Sequence, residues 1–281
     1  MKIWVKNYLI RLRGSCLMRK LRLGLVGLSP LLIWGPAPVR AGLKVLIFTH
    51  LAAWLYGVLA PNSRLFGPVL SRGSSRKKWV ALTFDDGPSE PYSPLILDTL
   101  KRHGVKATFF IVGAKAEAHE DLVRRIWEEG HLIGNHTWSH PPYLAFPVVF
   151  RRREVREEME RAEAAIESIV GERPKIFRPP QGFKNLFILE TCREKGMTLV
   201  GYTVRPPYHA NGHSSSALAN RVLRQARPGA IINFHDGWRT GHEWDRQEMA
   251  RALSQVIDGL RAQGYEFVTP EEMIQNGGGA K

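Results

Sequence analysis

From Lys78 onward, short apolar runs alternate with longer segments in which apolar residues recur every three or four positions. The short runs predict seven strands, at Val80–Phe84, Ala107–Val112, His131–Asn135, Ile176–Arg178, Thr198–Val204, Ala230–Phe234 and Glu266–Val268. The longer segments predict six helices, at Ser93–His103, His119–Glu129, Val148–Val170, Leu186–Lys195, Ser215–Gln225 and Arg246–Ala262. Strands that alternate with helices of this length are typical of βα units around a parallel sheet or barrel. The pattern therefore predicts an α/β fold.

Residues 1–71 form a leader that is both basic and apolar. Its longest apolar run, Val45–Ala60, contains 16 residues, slightly fewer than the roughly 20 that span a bilayer. Lys44 and Arg64 lie close to its two ends, and the aromatic Trp54 within it suits a membrane interface. We therefore interpret this run as a membrane-associated segment.

Two other interpretations of the leader stay open. The basic stretch Met18–Arg22 and the apolar run Leu23–Trp34 also fit a signal peptide, with cleavage near Val39–Ala41. Alternatively, Val45–Ala60 is a buried helix that packs on a soluble domain. Membrane association through the leader is the interpretation that we favour.

The basic residues also predict the orientation of a single span at Val45–Ala60. Nine basic residues precede this span. Five more follow it closely: Arg64, Arg72, Arg76, Lys77 and Lys78. Because the more basic side of a span stays in the cytoplasm, we expect the large C-terminal region to be extracytoplasmic. If Leu23–Trp34 inserted as a second span, the C-terminal region would instead lie in the cytoplasm.

The net charge of +14 comes from the N-terminal part of the chain. Of the 40 Lys and Arg residues, fourteen lie in residues 1–78, which contain no Asp or Glu. Residues 79–281 therefore hold 26 basic and 26 acidic residues. A domain that binds a polyanion carries its own basic excess, so the neutral C-terminal region excludes nucleic acid as its partner.

Three further stretches define the predicted domain organisation. Residues 72–78 are small and polar and predict a linker, which is followed by a folded domain over residues 79–275. The glycine-rich residues 276–281 predict a disordered tail. Within the domain, Arg151–Arg161 carries both signs of charge at helical spacing, which predicts a solvent-exposed helix face with i,i+4 ion pairs.

The motif TFDDGP ends the first predicted strand on two adjacent carboxylates, Asp85 and Asp86. Side chains in a regular strand alternate between its faces, but the Gly-Pro turn that follows bends the backbone, so both carboxylates can face one cleft. The alternative is an Asp-Gly turn in which either carboxylate only caps the backbone. The other strand ends decide between these two interpretations.

The motif HTWSH, with His136 and His140, follows the third predicted strand. The two imidazoles are one helical turn apart and can face one point. In a parallel α/β fold this strand end lies at the same edge as Asp86. Two His and one carboxylate form a metal-ligand set that leaves positions open for water and substrate. A His pair at this spacing also occurs as ordinary surface, an alternative that the neighbouring carboxylates weaken.

Two more strand ends carry ionisable side chains. The motif FRPPQG contains Arg178, whose guanidinium can hold a carboxylate ionised and in one rotamer. Gly182 in the same motif lets the backbone near Gln181 approach a ligand closely. The motif NFHDG ends a strand on His235. Four strand ends with ionisable groups predict one shared site, suited to metal-assisted hydrolysis of an amide or ester.

In this order, TFDDGP, HTWSH, RPPQG and NFHDG resemble the signature motifs of the polysaccharide deacetylases, the family-four carbohydrate esterases. The resemblance covers about residues 79–270, and four short motifs in the family's order form a specific combination. It implies a distorted (β/α) barrel of about seven strands, which agrees with the alternation of strands and helices. It also implies hydrolytic removal of N-acetyl groups from N-acetylglucosamine units of peptidoglycan, a chitooligosaccharide or a glycolipid.

The resemblance also implies a role for each motif residue. Asp85 would be the general base, Arg178 would orient that base, and His235 would be the general acid. One divalent metal ion, commonly zinc, would polarise the N-acetyl carbonyl. The implied metal ligands are Asp86, His136 and His140.

Three positions depart from the family pattern. Gln181 stands in place of a Tyr, a change that is tolerated if its backbone N–H binds the oxyanion. Arg205 stands in place of an Asp that supports the acid His. Asn233 replaces an apolar residue of the acetyl pocket, for which Trp238 is a candidate substitute wall. The alternative function is an inactive barrel that only binds carbohydrate, and the intact set of six motif residues argues against it.

Overall fold

Seven strands form a parallel sheet at the centre of the fold. The computed structural model describes residues 35–141, 144, 152–206, 214–237 and 247–278. The strands are β1 Trp79–Asp85, β2 Thr108–Ile111, β3 Leu132–Asn135, β4 Ile176–Phe177, β5 Thr198–Leu199, β6 Ala230–His235 and β7 Glu266–Phe267. Their order is β5-β4-β3-β2-β1-β6, and β7 pairs with β1. Each of the seven predicted segments contains a strand, although Thr198–Val204 contains one of only two residues, and each strand runs parallel to its neighbours.

Helices connect the strands and cover the sheet. They are α1 Ala37–Leu59, α2 Tyr92–His103, α3 Gly113–Ala118, α4 Glu120–Glu128, α5 Arg152–Val170, α6 Leu186–Glu194, α7 Ser215–Gln225, α8 Gln247–Ala262 and α9 Pro270–Met273. The six predicted helices agree with α2 and α4–α8 at their described ends, whereas Val148, the predicted start of α5, lies outside the described residues. The short α3 is not predicted, because six residues are fewer than two turns and show no clear period.

The segment after β5 closes the sheet into a distorted barrel. Before the bend at Thr203, the N–H of Val200 donates to the carbonyl of Phe177 at the end of β4, at 2.8 Å. After the bend, the carbonyl of Val204 accepts the N–H of Asn233 in β6, also at 2.8 Å. The same segment therefore pairs with both edges of the sheet. The predicted single strand Thr198–Val204 is instead a two-residue strand, a bend and a bridge, and the predicted barrel is confirmed.

Both faces of the sheet are buried, which explains the continuous apolar runs of its strands. Val80, Leu82 and Phe84 of β1 belong to the main apolar cluster, together with residues of α2 and α8. Ala81, on the opposite face, belongs to a smaller apolar cluster inside the barrel.

The leader contains one long helix, α1, which begins upstream of the predicted segment. Its 23 residues correspond to about 34 Å of helix. Among the described helices it is the one long and apolar enough to cross a membrane. The chain divides into two compact units, Met1–Leu55 and Tyr56–Lys281. The other apolar run of the leader, Leu23–Trp34, lies outside the described residues.

Residues that precede the predicted domain already pack within the larger unit. Val58 and Leu70 are buried. Leu70 and Arg72 form β-bridges, to the segment after β5 and to β6 respectively. The predicted boundaries at residues 71, 78 and 275 stay predictions. Contacts with the larger unit begin at Val58, about 20 residues before the predicted start of the domain at residue 79. Of the predicted tail, residues 276–278 lie in a helical turn, and residues 279–281 are outside the described part.

Phe84 is expected to carry much of the stability of the barrel. Its ring stacks on Phe109 and Phe234, with centroid distances of 5.0 and 5.7 Å. We expect Phe84→Ala to lower the free energy of unfolding by about 3–5 kcal/mol, as for other large-to-small core substitutions. Leu95→Ala, at a position that is 41% exposed, should cost only about 0.5 kcal/mol. Urea unfolding followed by tryptophan fluorescence measures both, and equal losses would contradict the assigned packing.

Candidate active site

The ends of four strands bring the predicted site residues to one edge of the barrel. Asp85 is the last residue of β1, and Asp86 follows it. His136 follows β3, and Arg178 follows β4. His235 ends β6 and is the register partner of Asp85. Since the strands are parallel, these are all carboxyl ends, where α/β folds place ligands.

Asp86, His136 and His140 converge on one point. The Oδ1 atom of Asp86 lies 3.3 Å from Nε2 of His136 and 3.0 Å from Nε2 of His140. All three ligand atoms lie within 4.8 Å of one another. Burial by itself opposes charge on Asp86, but its contacts with the two imidazoles hold the pKa of that carboxyl well below its usual range. These donors fit a divalent metal ion and leave room for further ligands.

The backbone of a neighbouring strand end orients His136. Its Nδ1 atom donates to the carbonyl of Arg178 at 2.7 Å, and in the neutral imidazole this bond leaves Nε2 free to bind a metal ion. The Nδ1 atom of His140 is buried without a hydrogen-bond partner among the described residues. The two candidate ligands are therefore held by different means, His136 by its second nitrogen and His140 by the loop that carries it.

Left-handed backbone conformations concentrate at this site. Among the described residues, four that are not glycine have a positive φ: Asp86 at 72°, Thr137 at 70°, His140 at 52° and Gln181 at 61°. Each such residue costs on the order of 1 kcal/mol or more and persists only where the surrounding structure holds it. The strain thus lies in the three loops that present the predicted motifs.

Arg178 is fully buried and binds the predicted base. Its Nη1 atom donates to Asp85 Oδ1 and to Thr83 Oγ1, each at 2.7 Å. Its Nη2 atom donates to the carbonyl of Gly201 at 2.9 Å, and its guanidinium lies 4.1 Å from the centroid of the Phe110 ring. Asp85 is consequently held in one orientation by a charge-assisted hydrogen bond.

The structure places two residues that depart from the family pattern, Asn233 and Arg205, in different surroundings. Asn233 is buried in the barrel, and its Oδ1 atom accepts from Arg178 at 3.3 Å. Arg205 lies near Tyr202, with 3.4 Å between Nη1 and the phenol oxygen. Trp238 lies outside the described residues.

Comparisons with known proteins show the family of the chain. A model of the polysaccharide deacetylases matches residues 72–200. A peptidoglycan-N-acetylglucosamine deacetylase of Bacillus cereus is 38% identical over 203 residues, which are 72% of this chain and 70% of that protein. The chain belongs to the polysaccharide deacetylase family. The resemblance expected from the four motifs is therefore confirmed.

Two further members of the family support this assignment. A chitooligosaccharide deacetylase of Bradyrhizobium sp. is 36% identical over 195 residues, which are 67% of this chain and 87% of that protein. The fold matches a crystal structure of a peptidoglycan N-acetylglucosamine deacetylase in complex with 4-naphthalen-1-yl-N-oxidanyl-benzamide. The TM-score is 0.67 at 36% identity, over 73% of this chain and 92% of that one.

Glu158 of α5 holds the loop between the two histidines, a role that the sequence pattern did not indicate. Its Oε2 atom accepts the N–H groups of Trp138 at 3.0 Å and Ser139 at 2.8 Å, and Oε1 accepts the hydroxyl of Ser139 at 2.8 Å. The guanidinium of Arg161 lies 3.6 Å from the Trp138 ring centroid. Two predicted i,i+4 pairs do form on α5, and Arg161 is exposed as predicted, whereas Glu158 is half-buried and contacts the loop.

Two other groups at the site were also not predicted. Lys115 of α3 donates to the carbonyl of Asp86 at 2.6 Å and so contacts the left-handed residue directly. Ser93 of α2 donates to Asp236 Oδ2 at 2.7 Å, and burial raises the pKa of Asp236 to about 7. A Cβ atom at Gly87 would lie 2.1 Å from that carboxylate, so the glycine of TFDDGP is required by close packing.

Because Glu158 holds the loop between His136 and His140, we expect it to raise the affinity for a metal ion although it is not itself a ligand. We expect Glu158→Ala to weaken zinc binding about 10-fold, because it removes the oxygen atoms that accept the backbone N–H groups of the loop. Glu157→Ala changes an exposed carboxylate beside it and should leave the affinity unchanged. His136→Ala should remove most of the binding. Competition titration with a chromogenic chelator measures all three, and equal affinities for the two glutamate variants would contradict the role of Glu158.

Proposed function

We propose that the chain is a metal-dependent N-deacetylase that hydrolyses N-acetyl groups of N-acetylglucosamine units in a glycan. The observation that carries this proposal is the convergence of two groups at one barrel edge. A two-His, one-carboxylate set lies directly beside Asp85, the carboxylate that Arg178 holds. This arrangement suits hydrolysis of an amide by an activated water.

Asp86, His136 and His140 would hold the metal ion, and two imidazole donors make zinc the expected ion. A divalent ion bound there supplies a Lewis acid and lowers the pKa of a coordinated water. The adjacency of Asp85 and Asp86 then has a chemical reason, because a base must lie next to the water from which it takes a proton.

Asp85 acts as the general base in this proposal. Its hydrogen bond with Arg178, at 2.7 Å between Nη1 and Oδ1, fixes the orientation of the carboxylate and the direction of its lone pairs. The bond to Thr83 keeps the guanidinium itself in place. The base is thus ready to accept a proton from water without rearrangement.

His235 and Gln181 complete the proposed reaction. His235, directly across from Asp85 in the register of β1 and β6, protonates the leaving amine as general acid. The backbone N–H of Gln181 stabilises the oxyanion, and a backbone donor explains why Gln is accepted where the family has Tyr. Acetate and a glucosamine unit are the products.

The substrate class follows from the relatives named above, which are deacetylases of peptidoglycan and of chitooligosaccharides by name. A cell-surface glycan fits an apolar N-terminal helix that anchors the domain outside the cytoplasm. Peptidoglycan is therefore the first substrate to test, with chitooligosaccharides and acetylated glycolipids as the alternatives.

Amine release by the purified full-length chain tests the function. Peptidoglycan, chitooligosaccharides and an N-acetylated glycolipid are each incubated with protein that has been stripped of metal or loaded with zinc. Zinc-dependent release of free amine from at least one substrate supports the proposal. Tight binding of these glycans without any release would instead favour the inactive, carbohydrate-binding barrel.

Asp85→Asn and His235→Ala are each expected to lower kcat by at least about 10²-fold, the usual scale for loss of a general base or acid. Both variants should keep the zinc content of the wild-type chain, since neither residue is a proposed ligand. Initial rates and metal analysis are measured on the same preparations. Loss of zinc with normal turnover in Asp85→Asn would mean that the roles of the two aspartates are exchanged.

A reporter fusion tests the proposed location. A reporter that is active only outside the cytoplasm, fused to Lys281, should be active, because the more basic side of the span precedes Val45. A second fusion with a reporter active only in the cytoplasm serves as the control and should be silent. The opposite pattern in well-expressed fusions would place the domain inside and favour a cytoplasmic or lipid-linked sugar as substrate.

A further inference from the structure

Lys184 is a buried lysine that binds backbone carbonyls far away along the chain. Its side chain is about 1% exposed, and Nζ donates to the carbonyls of Ala60 and Pro61, the latter at 3.0 Å. The N–H of Lys184 also donates to the carbonyl of Val58 at 3.2 Å. Burial lowers the pKa of this ammonium to about 8. A buried ammonium is costly unless it is well hydrogen-bonded, so these contacts call for an explanation.

The carbonyls that Lys184 binds directly follow the C-terminal end of α1. That of Ala60 also accepts the N–H of Ser63 at 3.0 Å. A glycine or a side chain within the same turn satisfies acceptors at a helix end at much lower desolvation cost. Here the donor comes from the segment that follows the RPPQG loop. The contact therefore fixes two distant segments to each other, which a local cap would not do.

The same N-terminal segment packs against the loops that hold the catalytic groups. A Cβ atom at Gly182, the residue after Gln181, would lie 3.2 Å from the ring of Pro61. A Cβ atom at Gly201 would lie 2.9 Å from Oδ1 of Asn62. Gly201 is the residue whose carbonyl accepts from Arg178. Residues 58–62 thus support both the proposed oxyanion loop and the guanidinium that orients the base.

We infer that Lys184 is a positioning residue, which fixes the end of α1 beneath the Arg178–Gly182 loop and so keeps the backbone of Gln181 in its left-handed conformation. The inference rests on the proposed function, in which the N–H of Gln181 binds the oxyanion. Oxyanion stabilisation is realised in the transition state, so a misplaced donor lowers kcat and leaves KM nearly unchanged. Substitution of a residue that is needed only for folding would lower the stability of the protein but would not lower kcat selectively.

The test compares full-length Lys184→Met and Lys184→Arg with the wild-type chain, using the acetylated glycan on which the wild type is most active. We expect Lys184→Met to lower kcat about 10-fold, as displacement of a catalytic group by a fraction of an ångström does, with KM changed less than about twofold. Zinc content should stay the same. Lys184→Arg retains a buried cation with donors for both carbonyls, and it should restore at least half of the lost kcat.

Lys195→Met is the matched control. Lys195 is also mostly buried and pairs with Glu163 on α5, away from the loops of the site. We expect it to lower the thermal midpoint while kcat stays within about twofold of the wild-type value. If Lys184→Met behaves in the same way, Lys184 is structural only and the inference is wrong.

A second variant keeps the inference testable if Lys184→Met does not fold. Pro61→Gly retains the carbonyl that Lys184 binds but removes the ring that packs on Gly182, and it should show the same selective loss of kcat. A kcat equal to that of the wild type would overturn the inference. A wild-type chain that deacetylates no glycan would instead contradict the proposed function, so the two failures are distinguishable.

Discussion

The structure of the site depends on one buried ion pair, between Arg178 and Asp85. Two charges removed from water cost several kcal/mol unless their remaining hydrogen-bonding groups are satisfied. The guanidinium therefore needs Thr83 from β1, Asn233 from β6 and the carbonyl of Gly201 from the closing segment. Gly201 follows β5 and Asn233 lies in β6, at the two edges of the sheet. Closure of the barrel therefore brings together the groups that hold the guanidinium and, through it, the base. Loss of Asp85 or Arg178 would leave the other charge buried and unpaired.

This dependence gives a physical account of one position that departs from the family pattern. An apolar residue in place of Asn233 would remove an oxygen that accepts from Nη1 of Arg178. The departure at Asn233 is therefore matched to the buried guanidinium. Arg205 lies elsewhere, with its Nη1 atom 3.4 Å from the phenol oxygen of Tyr202.

Much of the fold and of the candidate site could be predicted from the sequence because both depend on local patterns. Buried parallel strands are apolar on both faces, and ionisable residues such as Asp85 and His235 stand out where those runs end. The residues that were missed act across long sequence separations. Glu158 lies among many charged residues on α5, and nothing local distinguishes the carboxylate that binds the Trp138–Ser139 backbone. Lys184 likewise looks like an ordinary loop lysine, since its partners lie more than 120 residues earlier.

The contact between Lys184 and the end of α1 determines where a shortened form of this chain can begin. A fragment that begins at the polar residues 72–78 lacks the carbonyls of Ala60 and Pro61, so the ammonium of Lys184 would be buried without them. It would also lack the carbonyl of Val58 that accepts the backbone N–H of Lys184. Such a fragment would retain its metal ligands and lose the support of its RPPQG loop. A soluble form with an intact loop must therefore begin before Val58, inside α1.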